Sequence, residues 1–143
     1  MKIWIPGNCP SLKNSKIATS KGVFMSKTCK RYLQSLGIQK YSIKDKIVQG
    51  YKTRSNLFYE AVKPLFEVKS MWQLPVFVRF YFVRDSKRKF DIINAQQIIC
   101  DLLVAHRVID DDDADNLIPA VEMRNGKCYH IDKAAPGVWL EFL

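Results

Sequence analysis

The residues best equipped for chemistry lie in one stretch. Lys87-Arg88-Lys89 leads into Asp91, followed by Asn94, Asp101 and the run Asp110-Asp111-Asp112-Asp113. Phosphodiester hydrolysis calls for this combination. Carboxylates hold a divalent metal that activates water and neutralises developing charge, while cations grip the flanking phosphates. The competing reading is a solvated basic loop followed by a solvated acidic one. Other chemistries find little support. Cys9, Cys29, Cys100 and Cys128 show neither CxxC nor Cys-His spacing, and His106 and His130 are the only histidines. The thiols read as small buried groups in a reducing compartment. A glycine-rich phosphate loop is missing, which argues against a nucleotide cofactor.

Charge divides the chain in the same place. The net charge is +9 over 143 residues, but residues 1–90 carry 19 basic and 4 acidic side chains, and residues 91–143 carry 4 basic and 10 acidic ones. The basic part suits a polyanion, because each phosphate neutralised releases a condensed counterion. The acidic part can approach phosphates only with a cation between them. Composition is that of a globular protein, 48% hydrophobic and 26% charged, and the length suits one domain over residues 1–143. No apolar run is long enough to span a membrane. The opening Met-Lys-Ile-Trp-Ile-Pro-Gly is too short for an export signal, so a cytoplasmic location is expected.

The elements that must position these residues follow from periodicity. Lys2–Ile5 reads as a strand ended by Pro6-Gly7, and 9–15 as a loop. Val23–Met25 reads as a short strand, and Ser26 as the N-cap of a helix over Lys27–Leu36 that Gly37 closes. Residues 40–51 read as a loose connection. Asn56–Phe66 has helical spacing, with Pro64 threatening its last turn. Val76–Val83 is strand-like, with Arg79 facing either DNA or solvent. Asp91–Ala105 is the clearest helix, with Asp91 in its first turn. Ile92, Ala95, Ile99, Leu102 and Leu103 share one arc, and Asn94, Gln97 and Asp101 another. Val121–Arg124 and Lys127–Ile131 flank Asn125-Gly126, a strong hairpin signal. Val138–Phe142 closes the chain. The expected fold class is α+β, a single mixed β-sheet with flanking helices.

On these residues the chain resembles the RusA-type Holliday junction resolvases, small dimeric nucleases often encoded by phages and prophages. Their pattern is a basic run, Asp-x-Asp-Asn, a helix with a further Asp, then an Asp-Asp pair. The matching positions are Lys87, Arg88 and Lys89, then Asp91 and Asn94, then Asp101, then Asp111 and Asp112. The family's Pro-Pro-Ser-x-Asn resembles Cys9-Pro10-Ser11-Leu12-Lys13-Asn14, and Ser26 falls where the family has a helix-opening Ser. The likeness spans nearly the whole chain, with an apparent insertion around residues 37–55. Two positions depart: a family metal ligand corresponds to Ile93, and its helix lysine to Gln97. The acidic quartet also admits a register shifted by one residue.

The resemblance implies a homodimer that binds branched DNA and cleaves Holliday junctions with Mg²⁺ or Mn²⁺. Asp91, Asp111 and Asp112 would be the catalytic metal ligands, Asn94 would orient a ligand or cap the loop, and Asp101 would support them. Lys13, Arg84, Lys87, Arg88 and Lys89 are the expected phosphate contacts. A relative that binds branched or double-stranded DNA without cutting it accounts equally for Ile93 and Gln97. A third reading comes from Asp111, Asp113, Asp115 and Glu122, which stand at calcium-loop positions 1, 3, 5 and 12. Asn116 at the turn glycine and Pro119 inside the loop oppose it. Trp4, Trp72 and Trp139 read as core or dimer-interface packing.

Overall fold

The computed structural model describes residues 1–11, 16–19, 22–25, 27–38 and 56–143. Lys13, Ser26 and the expected connection at 40–51 lie outside the described residues.

Strand β4 (Val76–Arg84) organises the sheet. Val76, Val78, Phe80 and Phe82 enter the main core, and Tyr81 and Val83 on the opposite face are buried as well. Burial on both faces explains the nearly unbroken apolar run. β7 (Gly137–Phe142) pairs antiparallel along one side of β4, and β1 (Lys2–Pro6) pairs antiparallel outside β7. On the other side β5 (Leu117–Val121) runs parallel to Val76–Phe80, and β6 (Tyr129–Ile131) parallel to Phe82–Arg84. The result is one mixed five-stranded sheet, and the fold class is α+β. β2 (Lys16–Thr19) and β3 (Gly22–Met25) form a separate antiparallel pair. Only β3 was expected from the sequence.

The segments flanking Asn125-Gly126 do not form the expected hairpin beyond one bridge. Both residues have positive φ, 51° and 76°, as a tight two-residue turn requires. Arg124 and Lys127 exchange backbone hydrogen bonds of 2.8 and 3.0 Å. Beyond that bridge the flanks separate, and both lie along β4. The turn is an excursion from one sheet edge, because β4 offers each flank a longer run of backbone partners.

Helix α1 (Lys27–Ser35) ends as expected at Gly37, whose φ of 79° allows Ile38 N–H to reach Leu33 O at 2.9 Å. The expected helix at 56–66 divides at Pro64 into α2 (Leu57–Val62) and α3 (Leu65–Val68). Asn56 caps α2 by accepting from Tyr59 N–H at 2.7 Å. A 3₁₀ turn at Lys69–Met71 follows. Helix α4 (Ile92–Ala105) buries Ala95, Ile98, Ile99, Cys100, Leu102 and Leu103. With Leu33, Phe58 and Leu65 they meet Ile3, Ile5, Val138 and Leu140 of the sheet in one core. No helix among the described residues is long and apolar enough to cross a membrane.

The other sheet face carries Trp4 and Trp139, whose rings meet at 5.0 Å, and Arg79, whose Nε donates to Glu141 Oε2 at 3.1 Å. That ion pair answers where Arg79 points. All three tryptophans are half-buried, and Trp72 stacks on Phe142 at 5.2 Å. Gly137 makes the tryptophan packing possible. A Cβ there would fall into the Trp4 ring and lie 2.6 Å from Ile5 O. Gly137→Ala is therefore expected to lower stability by roughly 2–3 kcal/mol in urea denaturation; unchanged stability would mean that the Trp4 ring is not packed there.

Candidate nucleic-acid interface

The basic residues converge on a cleft of about 690 Å³. One wall is the loop after β1 (Asn8, Pro10, Ser11) with Thr28 and Arg31 of α1. The other is the turn after β4 (Arg84, Asp85, Ser86, Arg88, Lys89), and Lys133 and Pro136 complete the lining. Five cationic side chains thus face one carboxylate. Arg84, Arg88 and Lys89 were expected from the sequence. Lys87 is exposed and is not among the lining residues. Arg31 and Lys133 were missed, since each is an isolated cation in its own segment.

Arg84 differs from the other cations. It is 5% exposed, its Nη1 donates to Cys9 O, and its guanidinium lies 4.6 Å from the Phe90 ring centre. Its Nε is buried without a hydrogen-bond partner among the described residues. Burial lowers its pKa, and Cys9 and Asp85 oppose that shift. Asn8 Oδ1 accepts from Asp85 N–H at 3.0 Å, and Cys9 Sγ contacts Ala95 O at 3.5 Å. These bonds tie the first loop to β4 and to the first turns of α4.

The thiols fit the sequence reading. Cys9, Cys29 and Cys100 are buried and Cys128 is half-buried, and no disulfide joins any of them. Burial pushes Cys9 and Cys100 up to about 12, so neither supplies the thiolate a nucleophile needs.

The acidic residues form a second arrangement on α4. Asp91 is the N-cap, one position before the first turn where the sequence reading put it. Its Oδ1 accepts from Ile93 N–H at 3.0 Å and Asn94 N–H at 3.3 Å. That bonding stabilises the helix start by about 1 kcal/mol. Ile93 is 72% exposed, and Asn94 Nδ2 is buried without a partner among the described residues. Farther along, Gln97 Nε2 donates to Asp101 Oδ1 at 2.8 Å and to Asp112 Oδ2 at 2.7 Å. The Asp111 carboxylate accepts from Asp112 N–H at 2.8 Å. So Gln97 bridges Asp101 and Asp112, while Asp91 stands about 9 Å along the helix axis from Gln97 at 1.5 Å per residue, and the expected set of Asp91, Asp111 and Asp112 is not brought together. Among the described residues no three His, Cys, Asp or Glu side chains are grouped to hold a metal.

The donor set nonetheless fits a hard divalent ion. Mg²⁺ is commonly held by one or two carboxylates, with waters and substrate phosphates completing its shell. Asp101 and Asp112 already direct one oxygen each at a single point, which the Gln97 nitrogen fills. An ion held there would supply charge neutralisation at a phosphate and an activated water.

The calcium-loop reading fails on geometry. Glu122, its twelfth position, is held by Arg124 at 2.9 Å and Lys2 at 3.3 Å. Asp113 Oδ1 accepts from Asp115 N–H, Asn116 N–H and Asn116 Nδ2, which shapes a turn, and β5 begins at Leu117. Comparison with protein-family models, curated proteins and solved structures returned no match, so the function of this chain has to be read from its own residues.

Proposed function

We propose that this chain is a RusA-like protein that binds branched DNA through the basic cleft and cleaves it with Mg²⁺ or Mn²⁺, working as a homodimer. The observation that carries this reading is the gathering of Arg84, Arg88 and Lys89 with Arg31 and Lys133 in one cleft. Cations gathered in this way attract the phosphate backbone of a duplex, and a two-fold pair of clefts suits the paired strands of a junction. Asp101 and Asp112 would hold the ion, with waters and substrate phosphates completing its shell. Gln97, which now bridges the two carboxylates, would have to yield to it.

A second reading is favoured by that same Gln97 bridge and by the exposed Ile93. In it the cleft binds DNA and no cleavage follows, because the Gln97 amide occupies the point between the two carboxylates. Cleavage of a synthetic four-way junction against a linear duplex separates the two, in Mg²⁺ and in Mn²⁺, with an Asp111→Asn/Asp112→Asn double variant alongside. Paired nicks that disappear in the variant support cleavage; junction binding with no nicks in either metal leaves the binding reading.

A further inference from the structure

The five cations of the cleft are not equivalent, and the difference assigns a role to one of them. Arg88 and Lys89 are exposed side chains on a turn, and Arg31 is exposed on α1. Flexible exposed cations of this sort add to the field that draws in a polyanion but fix no geometry. Arg84 is 95% buried, yet it still lines the cleft. Its guanidinium is fixed by three features: the Cys9 carbonyl on Nη1, the Phe90 ring against its face, and the strand end that carries it. Asp85, the carboxylate in the cleft lining, acts on its charge without forming a salt bridge with it. Acidic side chains form no salt bridge with it among the described residues, and its Nε lacks any hydrogen-bond partner. A buried guanidinium donor left unmade is costly, by the desolvation of the group. An oxyanion bound in the cleft against the guanidinium would offset that cost.

We propose that Arg84 is the anchor of a single-phosphate subsite in the floor of the cleft. It would take the oxygens of one phosphate in the fork geometry that guanidinium offers and ammonium does not. This rests on the reading of the cleft as a DNA site and adds a division of labour to it. Arg84 sets where one phosphate stops; Arg31, Arg88, Lys89 and Lys133 supply long-range attraction. Because Cys9 O holds Arg84 and Cys9 Sγ touches Ala95 O, the anchored phosphate has a fixed position relative to the first turns of α4. The same chemistry suits a phosphodiester inside a strand or a phosphate at its end.

The first test is a titration of the full-length protein, labelled with ¹⁵N-arginine, with inorganic phosphate. The Arg84 Nε–H signal is expected to shift and saturate, while that of Arg107, exposed and outside the cleft, drifts without saturating. No saturable shift at Arg84 overturns the subsite. The second test compares junction binding by Arg84→Lys and by the Arg88→Ala/Lys89→Ala double variant over a salt series. Arg84→Lys keeps the charge and loses the fork, so affinity is expected to fall about tenfold with the salt slope unchanged. The double variant is expected to flatten the slope by about 2. Parental affinity in Arg84→Lys overturns the proposal and leaves the DNA reading standing. If the parent binds no DNA but phosphate saturates Arg84, the DNA reading fails and the subsite stands. Should Arg84→Lys not fold, the phosphate titration of the parent decides. Competition by oligonucleotides with a 5′-phosphate or a 5′-hydroxyl then separates the sources: a phosphate-dependent advantage marks a strand end, and equal competition a phosphodiester.

Discussion

Acidification from pH 7 to about 4 is expected to remove about 3 kcal/mol of stability through His106 alone. His106 is completely buried at the C-terminal end of α4. Its Nδ1 donates to Leu102 O at 2.8 Å, which leaves Nε2 to accept from Asn56 Nδ2 at 3.2 Å, and the ring packs on Phe58. Protonation would set an N–H against that amide donor inside the core. Burial accordingly lowers the pKa from 6.5 to about 4, with the Leu102 carbonyl opposing. The folded value lies below the unfolded one, so the contribution is complete above pH 6.5 and drains away as pH falls towards 4. The interval converts to about 3 kcal/mol. Urea denaturation at intervals between pH 7 and 4.5, with the parent and His106→Gln, measures it. The variant should start less stable and show a flatter dependence. An equal slope in both would refute the assignment, and the link between α2 and α4 would then contribute no acid sensitivity.

Removing the cleft's outer cations should have the largest effect on binding. Replacing Arg31, Arg88, Lys89 and Lys133 together with alanine deletes four charges and spares both the fixed Arg84 and the core. Each phosphate no longer neutralised reduces the salt slope by about 0.9, so loss of the four charges reduces it by about 3.6. Affinity near physiological salt should fall by about a thousandfold, taking about 1 kcal/mol per contact. Fluorescence anisotropy with a labelled junction, from low to moderate salt, gives both numbers. A matched variant with four alanines at Lys2, Lys63, Lys69 and Lys127, all outside the cleft lining, should keep most of the affinity. If the two variants weaken binding equally, the cleft is not the contact surface.

Much of the frame was legible because it depends on local period. The β4 run and the α4 stripe each carry their own pattern, and Gly37 and Pro64 mark a helix end and a helix break by backbone chemistry. The Asn125-Gly126 turn was legible as a turn, but turn chemistry does not say whether its flanks pair with each other or with a third strand. β2 carried no apolar alternation to announce it. At the site, Asn94, Gln97 and Asp101 could be placed on one arc, and a Gln-Asp contact four residues apart is an ordinary helix pairing. That Asp112 would be the acid to join them depends on how the chain returns after His106, which no helical wheel contains. The cleft was legible only in part. Its walls come from residues 8–11, 28–31, 84–89 and 133–136, so charge density revealed the turn after β4 but could not add Arg31 and Lys133. Nor could it tell the buried Arg84 from the exposed Lys87.

The central claim is selective binding of branched DNA, and it is tested most directly with the metal removed. In EDTA, at a fixed salt concentration, the affinity of the protein for a four-way junction would be compared with that for a linear duplex of the same arm sequence. Junction binding at least tenfold tighter, lost with the outer cations of the cleft, is the expected result. Equal affinity for junction and duplex, or no DNA binding at all, would contradict it.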